Sequence, residues 1–149
     1  MSLVVTEPTP HVIFRVGDNA YALPVRDVVE VLRMVALTPL PEAPPWVAGI
    51  LNLRGQGLAV VDTRHRLGLS PFQPSPNLVI MVVHVGERDW GMIVDDVLEV
   101  IDLSAEHPQR IDHHAGIASL VQHVAQVQGR TVMVLDLARL LGSVALRTS

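Results

Sequence analysis

Seven histidines and fifteen acidic residues, in a chain of 149 with no cysteine, bound the chemistry this sequence can carry. Asp112, His113 and His114, with His107 close by, put four candidate metal ligands into one stretch, as a metal-dependent hydrolase would need. Adjacent residues point in different directions unless the backbone wraps the ion, and no His-x3-His pair supports the cluster. A solvated loop accounts for it more simply, so no metal and no other cofactor is expected. Asp95-Asp96, Asp62 and Asp136 raise paired-carboxylate chemistry, but helix-start capping explains all four, and no histidine or nucleophile converges on them. A different kind of handle stands in Val47–Asp62, where two apolar runs flank Gly55-Gln56-Gly57 and Arg54 occupies the lip. Gly55 and Gly57 are expected to supply the positive φ of a tight hairpin. These residues describe a scaffold with one charged handle, and a protein that is not an enzyme.

The totals fit that reading. Apolar residues make up 49% and charged residues 17%, which provides a core and argues against disorder. Aromatics are only 3%, so the core is built from Val, Leu, Ile and Ala, a composition that favours strands. A net charge of −4 with no lysine gives no basis for a nucleic-acid partner and disfavours an RNA-binding barrel. No apolar run approaches the roughly 20 residues that cross a bilayer, and residues 1–10 lack a secretion signal. The expected location is cytoplasmic, without direct membrane insertion.

Turn clusters divide the chain into short elements. His11–Val16 and Tyr21–Leu23 flank Gly17-Asp18-Asn19 as a hairpin. Val25, Val28, Val29 and Leu32 fall at i, i+3, i+4 and i+7, which predicts one to two helical turns with Glu30 on the polar side. Asp62 is placed to cap a short helix over Thr63–Leu67. Ser70–Asn77 is a Pro/Ser-rich linker, after which Leu78–Val85 and Trp90–Ile93 form a second hairpin. Val94, Val97, Leu98 and Ile101 repeat the helical spacing, with Asp95 and Asp96 in its first turn. A third hairpin turns at Gly129-Arg130, and a final helix stops at Gly142. Trp46 and Trp90 are core or lip anchors.

Laid on itself, the chain matches twice. At an offset of 69, Gly17, Tyr21, Val25, Asp27, Val28, Glu30 and Val31 meet Gly86, Trp90, Val94, Asp96, Val97, Glu99 and Val100. At an offset of 74, Gly55, Val60, Asp62 and Gly68 meet Gly129, Val134, Asp136 and Gly142. Two copies of a small strand-rich unit predict twin barrels. The expected division is a flexible 1–10, one domain over 11–142 and a tail over 143–149. Within the domain, one barrel unit covers 11–69, a linker 70–77 and a second unit 78–142, with strand exchange between the barrels left open.

The order of motifs resembles the CheW-like family of bacterial chemosensory coupling proteins, from about His11 to Gly142. The motifs are Gly17-x-x-x-Tyr21-Ala22-Leu23-Pro24-Val25, Val28-Val29-Glu30-Val31, and Leu40-Pro41-x-x-Pro44. They continue with Val47-x-Gly49-Ile50-Leu51-Asn52-Leu53-Arg54-Gly55 and Val60-Val61-Asp62-x-Arg64-x-x-Leu67-Gly68. The resemblance implies an all-β fold with short helices, in which two SH3-like five-stranded β-barrels share a hydrophobic core. It implies a non-enzymatic adaptor that binds chemoreceptor cytoplasmic tips and the regulatory domain of a histidine kinase. An adaptor of a type IV pilus or another chemosensory pathway fits the same motifs. It also implies that Glu30 and Arg54 matter for assembly and can pair. Val28, Val29 and Val31 would flank Glu30 as an apolar ridge, although helical spacing turns Val28 and Val29 inward. Leu51 and Leu53 alternate with Ile50 and Asn52, so Leu53 suits either a contact strip or burial between barrels.

Overall fold

The computed structural model describes residues 8–103 and 117–146. Alternating apolar positions between tight turns give the strands β1 (Thr9–Val16), β2 (Asn19–Pro24), β3 (Val28–Arg33), β4 (Val47–Leu53) and β5 (Gln56–Asp62). After the short helix α1 (Thr63–Arg66) come β6 (Val79–Val85), β7 (Arg88–Val94), β8 (Asp96–Leu103), β9 (Val121–Val127) and β10 (Arg130–Leu135), then α2 (Leu137–Leu146). Two five-stranded sheets result, one ordered β8-β1-β2-β10-β9 and the other β3-β6-β7-β5-β4.

The two stretches that match at offsets of 69 and 74 exchange strands between the two sheets. Replacing β3, β6, β7, β5 and β4 by their repeat counterparts β8, β1, β2, β10 and β9 converts one sheet order into the other. Within each repeat the strands pair antiparallel across hairpins, whereas the repeats join through two parallel pairs, β2 with β10 and β5 with β7, and two antiparallel pairs, β1 with β8 and β3 with β6. The chain changes sheet at Val25–Asp27, a single 3-10 turn, and again at Asp95. Asp95 ties that second crossover down. Its backbone N–H donates to the Arg15 carbonyl, and its carboxylate accepts from Gly17 N–H at 2.7 Å and from the Arg64 guanidinium at 3.3 Å.

Exchange explains why so many strands are apolar on both faces. In β1, Val12, Phe14 and Val16 join a core shared by the sheets, while Ile13 points into the other face of its own sheet. In β6, Met81 and Val83 enter the shared core, and Ile80 and Val82 fill the inside of the second sheet with Leu51, Leu58, Val60 and Ile93. α2 closes the shared core with Leu137, Leu140 and Leu141. One arginine links the two helices: Arg66 of α1 donates to the carbonyls of Leu140 and Arg139 and lies 5.2 Å over the Trp46 ring. Trp90 is buried in the shared core and Trp46 packs against it.

Three local expectations are corrected. Val28–Arg33 is an extended edge strand, because its backbone completes a ladder with β6 that a helix cannot offer. For the same reason Val97–Ile101 lies in β8, laddered to β1, and Asp95 fastens a crossover where a helix cap was expected. α2 continues through Gly142 to Leu146, since an interior glycine costs only about 1 kcal/mol once a helix is nucleated. The capping roles of the other two acids hold. Asp62 accepts from His65 N–H and Asp136 from Arg139 N–H, both at 3.1 Å.

Candidate functional site

β3 ends one side of the second sheet and β4 the other, separated by four strand spacings, or about 19 Å in a flat sheet. Yet Glu30 of β3 forms an ion pair with Arg54, in the turn that follows β4. The sheet is therefore rolled until its edges meet at this lip. A β-bulge between Val28 and Glu30 sets the side chains. It places Glu30 opposite Val82 and Leu32 opposite Ile80, on the face that lines the barrel. Val29 and Val31 turn outward, 50% and 45% exposed, and the far edge of β3 has no strand partner among the described residues.

The hairpin turn is Arg54-Gly55, with φ of 49° and 83°, between the paired residues Leu53 and Gln56. Gly55 thus supplies one positive φ as expected, but the other falls to Arg54, and Gly57 is an ordinary strand residue packed close to Ile50. A left-handed conformation costs a side-chain-bearing residue about 1 kcal/mol. Arg54 nonetheless holds the tip of this turn, with its side chain 71% exposed.

Of the six residues singled out in the sequence, four meet at this lip. Glu30 and Arg54 pair, and Val29 and Val31 flank them on the exposed face of β3; the inward orientation expected of Val29 is overturned by the strand geometry. Val28 packs against the shared core and Leu53 against the inside of the second barrel. Leu51 is buried there too, so the β4 pattern reflects packing. The sequence reading missed the apolar exposure of Leu98 and Val100 on β8, at 38% and 62%. The signal was available, because the offset of 69 carries Val29-Glu30-Val31 onto Leu98-Glu99-Val100. The ion pair recurs as well: Arg130 donates to the Glu99 carboxylate at 3.1 Å, from the hairpin at the other side of the first sheet.

The described residues contain no group of three or more histidine or acidic side chains placed to hold a metal, and the His107–His114 stretch lies outside them. His84 and Asp89 are paired at 2.6 Å across the β6–β7 hairpin, at the surface. Burial, and then the charge His11 carries when protonated, hold the His123 imidazole below its ordinary value. No described helix is long and apolar enough to cross a membrane.

Two interlocked, rolled sheets with exposed apolar edges and paired charges define a protein that works through its surfaces. The CheW-like domain model matches residues 10–145, and the chain belongs to that family, a family of non-catalytic adaptors and scaffolds. It is similar to a chemotaxis protein CheW of Rhizobium meliloti (strain 1021), at 33% identity over 126 residues, covering 83% of this chain and 81% of that one. It is also similar to protein FrzA of Myxococcus xanthus, 36% identical over 85 residues, covering 57% and 53%. The crystal structure of the scaffolding protein TtCheW from Thermoanaerobacter tengcongensis superposes with a TM-score of 0.82 at 29% identity, covering 90% of this chain and 88% of that one. The expected twin five-stranded β fold is the fold of that family, and the chain is a chemotaxis coupling adaptor.

Proposed function

We propose that this chain couples the cytoplasmic tips of chemoreceptors to the regulatory domain of a histidine kinase, in the cytoplasm and without catalysing a reaction. Family membership supports the role. The observation that carries the site is the Glu30–Arg54 ion pair at the rolled lip, flanked by Val29 and Val31 on a strand edge with no strand partner among the described residues. Exposed apolar side chains beside a charged pair offer a receptor segment both burial and register. A second surface, formed by barrel-end loops, meets the kinase domain. Signalling then requires contacts that differ between the active and inactive states of the kinase, because a ligand shifts an equilibrium only by its differential affinity. Repetition of modest contacts in an array supplies avidity.

The test is co-sedimentation with receptor cytoplasmic fragments and the kinase, comparing the native chain with Arg54→Ala and Glu30→Ala. The native chain is expected in the pellet, and both variants are expected to be depleted while remaining folded by circular dichroism. Equal recruitment of all three would move the receptor contact away from this lip. Failure of the native chain with its cognate partners would overturn the coupling role.

A further inference from the structure

Beside the second sheet a cavity of about 460 Å³ opens between the segment after β3 and the 70–77 linker. Its walls are largely apolar, built from Met34, Leu37, Phe72, Pro74, Leu78 and Ile93. One wall carries a charge, the carboxylate of Asp62, whose residue is only 8% exposed. Oδ1 accepts from His65 N–H at 3.1 Å and Oδ2 from Phe72 N–H at 3.2 Å. A carboxylate offers about four acceptor positions, so each oxygen retains one.

Among the described residues no cationic side chain pairs with Asp62. Arg64, two positions on, is committed to Asp95 and lies 5.3 Å over the Phe72 ring. The second repeat supplies an internal comparison. Asp136, the counterpart of Asp62, caps its helix in the same way and is also neutralised by the Arg139 side chain at 3.6 Å. The position equivalent to Arg139 is His65, which gives Asp62 its backbone N–H. Among the described residues, this buried carboxylate at a cavity wall thus has no cation like the one its repeat counterpart has, and its remaining acceptor positions are open to one.

We propose that this cavity is a socket for an arginine side chain of a partner protein. The aliphatic stem lies against Met34, Phe72 and Ile93, and the guanidinium meets Asp62. Two open acceptor positions, one on each oxygen, suit the planar fork of a guanidinium better than the point charge of an ammonium. A cavity of this volume falls in the range of specific small-group sites. Neither Glu30 nor Arg54 lines it, so this contact is separate from the receptor lip and does not depend on that assignment.

The probe is Nα-acetyl-arginine amide, titrated into the full chain and followed by amide chemical shifts, with the isosteric citrulline amide as the neutral control. Saturable shifts are expected at Ala36, Leu37, Ala48, Phe72 and Ser75 with arginine and none with citrulline. Asp62→Asn is expected to weaken binding by about tenfold or more, as loss of a charge-assisted pair requires. Because Asp62 also caps α1, Ala36→Trp provides a second variant. It fills the cavity from an exposed position and is expected to abolish the shifts with the fold intact. Absence of saturation, equal binding of citrulline, shifts centred elsewhere, or undiminished binding by Ala36→Trp would overturn the socket.

Discussion

Arg54→Asn separates what Arg54 does for the fold from what it does for a partner. The ion pair with Glu30 joins side chains that are 71% and 25% exposed, so its loss costs at most about 1 kcal/mol. Against this stands the backbone. Arg54 sits at φ 49°, and Asn-Gly is among the best sequences for such a turn, so asparagine recovers about 0.5–1 kcal/mol. The two terms nearly cancel, and the net change is expected within about 1 kcal/mol, or about 4 °C in Tm for a chain of this size. Calorimetry of Arg54→Asn beside Arg54→Ala, which keeps the strain and loses the pair, should place the alanine variant lower by up to about 1 kcal/mol. Recruitment by receptor fragments should fall for both. A loss above about 3 kcal/mol in Arg54→Asn would make Arg54 a structural residue and refute the cancellation. Recruitment equal to the native chain would show that the strained turn does not serve the partner.

The edge strand gives a second contrast. Val29→Thr and Val31→Thr should change stability by less than about 0.5 kcal/mol while weakening recruitment, whereas Val28→Ala, packed on the shared core, should lose about 1–2 kcal/mol in chemical denaturation. Gly91→Ala tests the parallel junction between repeats. A Cβ there would meet Val60 Cγ2 at 2.9 Å and Ile80 Cγ2 at 3.2 Å, so a loss of about 1–3 kcal/mol is expected, and an unchanged Tm would contradict the tight β5–β7 approach. His123 gives a pH dependence. Its folded-state affinity for protons is lowered, so the unfolded chain binds the proton more readily, and stability is full above about pH 6.5 and declines as pH falls below it. His123→Gln should flatten that part of a Tm-against-pH curve, and an unaltered slope would reject the assignment.

The hairpins were legible because turn residues mark them locally. Gly17-Asp18-Asn19, Gly86-Glu87-Arg88-Asp89 and Gly129-Arg130 each separate runs that pair in the fold. β3 and β8 were not, because in a short valine-rich edge strand the two periods compete for the same residues. Val25, Val28, Val29 and Leu32 fit a helix, but Glu30 and Leu32 against Val29 and Val31 fit a strand. The ladder to β6, some fifty residues away, decides. The repeat offsets were visible, whereas the assignment of strands to sheets depends on the pairs between repeats, β2–β10, β5–β7, β1–β8 and β3–β6, which leave no local trace. The choice of Glu30 and Arg54 came from family resemblance, since two charges 24 positions apart give no sign of meeting until the sheet rolls.

The repeat also shows what the first lip has that the second does not. Both edges carry a glutamate between exposed apolar residues, and both glutamates reach an arginine from the hairpin across the sheet. Rolling a sheet closed therefore explains a Glu–Arg pair on either side. It does not explain where the arginine stands. Arg130 is the first residue of β10, in relaxed strand geometry, and Gln128 takes the positive φ of its turn, at 51°. In the first repeat the arginine itself occupies that strained tip, at φ 49°, with most of its side chain in solvent. The strained tip is common to both repeats, since Gln128 bears in the second the conformation that Arg54 bears in the first; what differs is which side chain it carries. The first repeat thus puts a cation outside the barrel beside Val29 and Val31, where the second has the neutral Gln128, and this difference, not the strain that both turns share, is what the proposed receptor contact would use.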